Sequence, residues 1–410
     1  MQLLRESGRM IWLVSEQYFW TQRPFRMPNI AEVWTRLHYM SSDNAINRLS
    51  GWSSELSMAL DLRMVAGCMR FSCKDPRDHI FGLAALFAEP YPVDYTKSLV
   101  EVFTDFTAQI ARKGASVNTG TLNYSDRANR SAFRRPDKVA NEFDFQWSSV
   151  SLPSWVPDYG IVAPRGRNWR EFDRWYRETL NTRIPAHIVS TTRGVLSVRG
   201  MICSRITKCA RHGYFERINR VFIEQAAHLA LGLRGHVPSA EIPVTFLDAL
   251  SHGHDLSFGE APRHRYCKSP EEKCQKLAEL NSYGCYYLAE YAEELLPLAD
   301  STRLNEVGKD AAASQFIREV GASMFFACAG GRRTFLSSST SSLGLTLGCG
   351  PDGIRVGDEI FVAYGCSAPL VIRSIGNRGQ YKLIGHCYIR GLMNAEVLHL
   401  GIPETDVQLI

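Results

Sequence analysis

Asp358-Glu359-Ile360-Phe361-Val362-Ala363-Tyr364, Leu370-Val371-Ile372-Arg373-Ser374 and Tyr381-Lys382-Leu383-Ile384-Gly385-His386-Cys387-Tyr388-Ile389 are short apolar runs separated by Gly, Asn and Ser. Runs of this length, rich in β-branched and aromatic residues and bounded by turn formers, predict strands. Residues 334–337 and 343–347 read the same way. Closely spaced short strands favour an antiparallel sheet or small barrel over 331–396. Gly344, Gly348, Gly350 and Gly353 fall in this stretch. No Lys-Ser/Thr follows them and no helix follows the strand, so they read as turns between strands and not as a phosphate cradle. The Ser/Thr run from Ser337 to Ser342 lacks a nucleophile elbow and reads as a solvated turn.

Working outward, Ile188-Val189-Ser190 and Val195-Leu196-Ser197-Val198-Arg199-Gly200-Met201-Ile202 also read as strands, joined through Thr192-Arg193-Gly194. Between the two strand-rich parts, 220–330 has helical patterning with a His-, Pro- and Gly-rich loop at 251–273. The chain is therefore expected to be α+β, with a helical N-terminal part and a C-terminal antiparallel β module carrying a helical insertion. The expected divisions are 1–67 (a divergent helical segment), 68–160 (helical), 161–219 (linker and first strands), 220–330 (helical insertion) and 331–396 (β module).

Three features organise the N-terminal half. Leu56, Ala59, Leu60 and Met64 repeat at helical spacing. Asp75-Pro76-Arg77-Asp78 predicts a helix start, with Asp75 as cap, Pro76 in the first turn, and Ile80, Leu83, Ala84 and Phe87 on one face. After the break Glu89-Pro90-Tyr91-Pro92, Ser98 and Glu101 have capping-box spacing ahead of a stripe of Val100, Phe103, Thr107 and Ile110, with Gly114 as terminator. Further on, Pro153 and Pro157 bracket Trp155, which predicts an extended segment pinned by a buried ring.

The 410 residues are 45% hydrophobic and 22% charged, which fits a globular chain and excludes general disorder. The net charge of +5 is small. Its densest basic run, Arg165 to Arg177 with Trp169, Trp175 and Tyr176, reads as a solvated helix face, since no nucleic-acid motif accompanies it. Eleven dispersed cysteines read as free thiols in a reducing compartment and not as a disulfide scaffold. No membrane-length apolar run occurs, so a cytoplasmic chain is expected.

Three motifs, in this order, carry a family resemblance. They are Asp75-Pro76-Arg77-Asp78-His79-Ile80-Phe81-Gly82-Leu83, followed by Val93-Asp94-Tyr95-Thr96-Lys97-Ser98; Leu152-Pro153-Ser154-Trp155-Val156-Pro157-Asp158-Tyr159; and a C-terminal run. That run passes through Arg333, Gly357-Asp358, Pro369 to Arg373, and Gly385, Tyr388 and Gly391. Together they resemble the downstream region of fungal heterokaryon-incompatibility (HET) domain proteins. The family's N-terminal signature segments, of the type YxALSYVWG and WIDAxCINQ, are not matched. A truncated gene, a degenerate copy and a free-standing downstream region are all compatible with that. The resemblance implies a regulatory protein of self/non-self recognition and programmed cell death, acting through protein partners and without nucleic acid or a membrane span.

Candidate chemistry is sparse. Asp75, Arg77, Asp78 and His79 form the sharpest polar cluster, but adjacent helical positions diverge by about 100°. A structural role is expected for them, as for Pro76, Pro153, Trp155, Pro157 and Asp158. His252, His254, His264 and Cys267 have tolerable zinc-ligand spacings, yet read as a polar loop. No catalytic, cofactor-binding or metal-ligating residue is assigned. The alternative is an enzyme or accessory protein tied to a fungal biosynthetic gene cluster; it would require a pocket with converging titratable groups.

Overall fold

The computed structural model describes residues 73–113, 151–159, 188–211, 220–251, 282–298 and 332–410, apart from a few loop positions within these ranges. The expected helix around Leu56–Met64, Gly114, the Arg165–Arg177 run and the His252–Cys267 loop all lie outside the described residues.

The chain is α+β, and its strands form a sheet that closes on itself. In chain order the strands are β1 (Ile188–Thr192), β2 (Val195–Cys209), β3 (Arg332–Ser338), β4 (Leu345–Pro351), β5 (Glu359–Ala363), β6 (Leu370–Ser374), β7 (Gln380–His386), β8 (Tyr388–Ile389) and β9 (Glu404–Leu409). The path β5-β6-β7-β9-β2 returns to β5, because β2 also pairs with β5. The fifteen residues of β2 make this possible. Along one edge β2 meets β1 and then β5; along the other it meets β9 and then β3. Gly200 sits where both edges are occupied, opposite Ala363 and Thr405. A Cβ there would come within 2.2 Å of the Val362 carbonyl oxygen, so only glycine permits this approach.

Among the nine strands of the described residues, every pairing is antiparallel except that of β7 with β9, which runs parallel over Gln380 and Tyr381. The expected single strand 381–389 is split at Cys387, whose N–H donates to the Pro369 carbonyl and not to the ladder. The strand expected at 343–347 lies further on, as β4. Gly348 and Gly350 are therefore inside a strand, which corrects their reading as turns. The reason is steric: Phe335 stands opposite Gly348, and its ring lies 2.6 Å and 3.1 Å from the Cβ positions these two glycines lack. Gly344 (φ +61°) does occupy a turn. β9, beyond residue 396, carried no expectation.

Alternation along the strands separates inside from outside. Met201, Cys203, Ile206, Phe335, Ile360, Val362, Val371, Cys387 and Ile389 form one cluster on the inner face of the sheet, drawn from β2, β3, β5, β6, β8 and the break before β8. The outward residues meet two separate helical covers. Leu196, Val198, Phe361, Leu370, Ile372, Leu383, Val407 and Leu409 pack against α1 (Asp78–Phe81), α2 (Leu99–Lys113) and residues 152–159. Leu336 and Leu347 pack against α3 (Arg220–Leu231), α4 (Glu241–Ser251), the helical residues 282–289 and Leu295.

Both N-terminal helices depart in detail from expectation. The α-helical part of the first spans only Asp78–Phe81, with i→i+3 bonds before and after it, and Arg77 occupies its N-cap without a side-chain bond. Asp75 instead accepts the Arg77 N–H one step earlier, at 3.0 Å. The second helix has its capping box: the Ser98 N–H donates to Glu101 Oε2 at 2.7 Å, and the Glu101 N–H to Ser98 Oγ at 3.3 Å. Its buried stripe is Val102, Phe103, Phe106, Thr107, Ile110 and Ala111, with Val100 only half-buried. Phe106 and Val102 displace Val100 because the helix is covered on two sides, by Tyr91 and Phe87 and by Tyr159.

Candidate functional site

The polar residues of the three motifs form three knots, each tying one element to another. In the first, the Arg77 guanidinium donates from Nε and Nη2 to the Asp75 carboxylate (2.6–3.2 Å). From Nη1 it reaches the carbonyls of Tyr95 (2.9 Å) and Lys97 (2.7 Å). Its carbon lies 5.2 Å from the centre of the Tyr95 ring. The Tyr95 hydroxyl donates to Asp78 Oδ1 at 2.6 Å, and the ring meets Phe81 edge-on. Pro76 is buried at the start of this turn. Arg77 thus spends its donors holding the loop that delivers α2, and holds the Asp75 carboxyl below the usual carboxylate range. His79 is buried and lies 3.3 Å from the Cys73 thiol through Nδ1. Burial, and then the charges of Asp78 and Asp75, push that thiol up to about 11. It stays protonated at neutral pH, the reverse of what an activated nucleophile needs.

The second knot is at residues 152–159. Trp155 is 1% exposed and its indole N–H donates to the Gly194 carbonyl at 2.8 Å, in the β1–β2 turn. Gly194 has φ +80°, and a Cβ on it would sit 3.3 Å from Pro153. The Ser154 N–H donates to the Ile410 carbonyl at 2.9 Å, and Ser154 Oγ contacts the same oxygen while accepting the Leu383 N–H at 2.9 Å. One serine therefore joins the chain beyond β9 to β7. Pro157 is buried and Asp158 half-buried. Tyr159 completes the knot, with its hydroxyl 3.0 Å from Thr107 Oγ1 on α2 and its ring edge-on to Phe103 and Phe106. Burial raises its pKa.

The third knot lies at one end of the barrel. Asp358 is 2% exposed and accepts from Arg373 Nε (2.7 Å) and Nη2 (2.9 Å), and from the Arg355 N–H (2.7 Å). Arg373 Nη2 also donates to the Gly353 carbonyl at 2.8 Å. Gly357, at φ +94°, makes the turn that presents Asp358, and its N–H donates to Ile206 of β2. A bidentate pair of this geometry fixes the β4–β5 turn against β6. Gly385 (φ +144°) lies opposite Val371 beside the irregularity in the β6–β7 register. Arg333 of β3 faces Gly350. Tyr388 is buried and faces Cys349, and its pKa is raised by burial. Gly391 (φ +86°) turns the chain away after β8, with Leu343 against it.

Arg390 follows β8 in the C-terminal run. It bonds Thr245 Oγ1 at 2.9 Å and lies 3.6 Å from Asp248 and 3.9 Å from Glu241, so it pins α4 to the barrel. Its signal was available only as one more arginine in a strand-rich segment. Tyr95 and Ser154 were inside quoted motifs, but their partners are 17 and 256 residues away in sequence. Among the described residues, no group of three His, Cys, Asp or Glu is placed to hold a metal ion, and no helix is long and apolar enough to cross a membrane.

Residues 287–404 match the Het-6 beta-barrel domain. This agrees with a downstream region of a HET-related protein, as the three motifs imply. The match covers β3 to β8 and reaches only the first residue of β9. It omits β1 and β2, yet in this chain β2 pairs with β3, β5 and β9 as well as with β1, so the closed sheet draws on chain well outside the matched residues. No curated protein and no solved structure matches the chain.

Proposed function

We propose that this chain is a non-enzymatic regulatory protein of fungal self/non-self recognition and programmed cell death, acting through protein–protein contacts from a Het-6 barrel held rigid by its motif residues. The Het-6 match over 287–404 carries the reading. It is supported by how Arg77, Asp78, Trp155, Asp358 and Arg373 are used: each is committed to another part of the fold, and Asp75 orients Arg77. In this reading the motifs set the shape of a surface and carry out no chemistry. The enzyme or gene-cluster alternative has no observation in its favour.

The test is inducible expression of the full chain in a filamentous fungus, with viability staining of fused cells. Altered viability or fusion outcome is expected, lost in the Trp155→Ala variant. Cells indistinguishable from empty-vector controls, with the protein present at matched levels, would overturn the proposal.

A further inference from the structure

One end of the barrel carries two unpacked turns. Residues 355–358, between β4 and β5, close through the Asp358 N–H, which donates to the Arg355 carbonyl at 3.2 Å. Residues 375–380, between β6 and β7, close through the Ile375 N–H, which donates to the Gln380 carbonyl at 3.3 Å. β5 pairs with β6 from Glu359 and Ile372, and the Asp358–Arg373 ion pair extends that register by one step, so the two turns are neighbours. Gly357 (φ +94°) and Gly376 (φ +91°) have nothing within 4 Å of where a Cβ would be, so both turns face open space there. Beside each glycine stands an aliphatic residue with no place in the core. Val356 is 61% exposed and Ile375 38%.

The uncompensated charge around these tips is of one sign. Lys382 is the register partner of Arg373. Lys208 lies two residues past Ile206, whose N–H and carbonyl bond Asp358 and Gly357. Lys208, Arg355 and Lys382 are exposed and have no carboxylate partner among the described residues. The carboxylates here are engaged: Asp358 with Arg373, and Glu359 with Arg205. By sequence the two connections add Asp352 and Arg378, which cancel in formal charge. Aliphatic tips among such cations suit an anionic lipid surface. The tips enter the interfacial layer while the cations meet phosphate and carboxylate headgroups. An acidic peptide is seated in a groove or on a free strand edge. Here both edges of β5 and of β6 are already paired.

We propose that this end of the barrel docks on membranes rich in anionic lipid, with Val356 and Ile375 seated among the headgroups and Lys208, Arg355 and Lys382 against their charges. The test is sedimentation of the full chain with vesicles of phosphatidylcholine alone or of phosphatidylcholine mixed with phosphatidylserine. Binding is expected on the mixed vesicles only. Each basic residue near an anionic surface strengthens binding about fivefold. Lys208→Gln with Lys382→Gln should therefore lower the partition coefficient about tenfold or more. Val356→Ser with Ile375→Ser should lower it severalfold at unchanged net charge. Leu398→Ser, on the exposed 396–399 turn outside both loops, should leave it at the wild-type value. All these side chains are exposed, so melting temperatures should not move. Equal binding to both vesicle types overturns the proposal, as does wild-type partitioning of the Val356→Ser, Ile375→Ser chain. Absence of vesicle binding overturns it too, including the case in which these residues serve an acidic protein instead.

Discussion

The two helical covers of the barrel are built on different principles. The insertion cover is almost purely apolar. Ala226, Ala227 and Ala230 let α3 approach closely, Phe246 stacks near Tyr287 (6.4 Å), and Arg390 ties α4 to the barrel end through Thr245. The N-terminal cover has one long helix, α2, with its own buried stripe, but the rest of it is a short helix and an extended segment, held by directed bonds from Arg77, Ser98, Ser154, Trp155 and Tyr159. The difference follows from the elements available. Two helices of eleven or twelve residues can bury continuous stripes. A four-residue helix and an extended proline-bracketed segment cannot, and their exposed backbone groups must be satisfied one at a time.

The largest expected effects come from the ring at the centre of each cover. Trp155→Ala should destabilise by ~3–5 kcal/mol, and so should Phe246→Ala. If the covers are separate, amide exchange in Trp155→Ala rises in α2 and not in α3 and α4, and Phe246→Ala shows the reverse. Loss of protection in both covers from either substitution would merge them into one unit. A substitution in the shared barrel should not discriminate. Gly348→Ala places a Cβ 2.6 Å from Phe335 and 2.7 Å from Ile389, costing ~1–3 kcal/mol by overpacking and loosening both covers together. Retention of wild-type denaturation midpoint would contradict the assigned register. A smaller effect belongs to the N-terminal cover alone: Ser98→Ala removes the capping box and should cost ~1 kcal/mol in urea unfolding, with α2 fraying first.

The smallest effect is in pH, where the covers should have opposite signs. Asp75, Asp94 and Glu101 are lowered by hydrogen bonds from Arg77, Thr96 and Ser98 respectively. Their contributions are present above the ordinary carboxylate range and are lost as pH falls through their lowered folded values. Asp248 is raised, by burial first and against the pull of Arg390. It binds its proton more tightly when folded, so its contribution is fullest in acid and is lost as pH rises from 3.8 through its folded value. Acidification below that range should therefore release α1 and α2 before α4. Asp248→Asn should flatten the insertion's pH response. An acid exchange profile with α4 released first would reverse the assignment.

Much of the architecture was legible in the chain. The strand patterning at 188–202, the short apolar runs bounded by turn residues over 358–389, and the capping box at Ser98 announce elements through local sequence alone. What was not legible depended on contacts across sequence. Gly348 and Gly350 look like turn residues until Phe335, thirteen positions earlier than Gly348, is seen to need their space. β9 is too polar to announce itself, and becomes a strand because β2 offers an edge. The polar motifs were recognisable as motifs, but their purpose was not: an arginine that bonds two carbonyls about twenty residues away has no local signature.

The central claim is that residues 152–159 fasten a separate N-terminal cover to a barrel that stands without it. Hydrogen–deuterium exchange on the full-length Trp155→Ala chain, in native buffer, tests this most directly. Protection should fall across α2 and the β1–β2 turn while β4, β6 and α4 keep wild-type rates. Uniform loss of protection, or an α2 as protected as in the wild type, would contradict it.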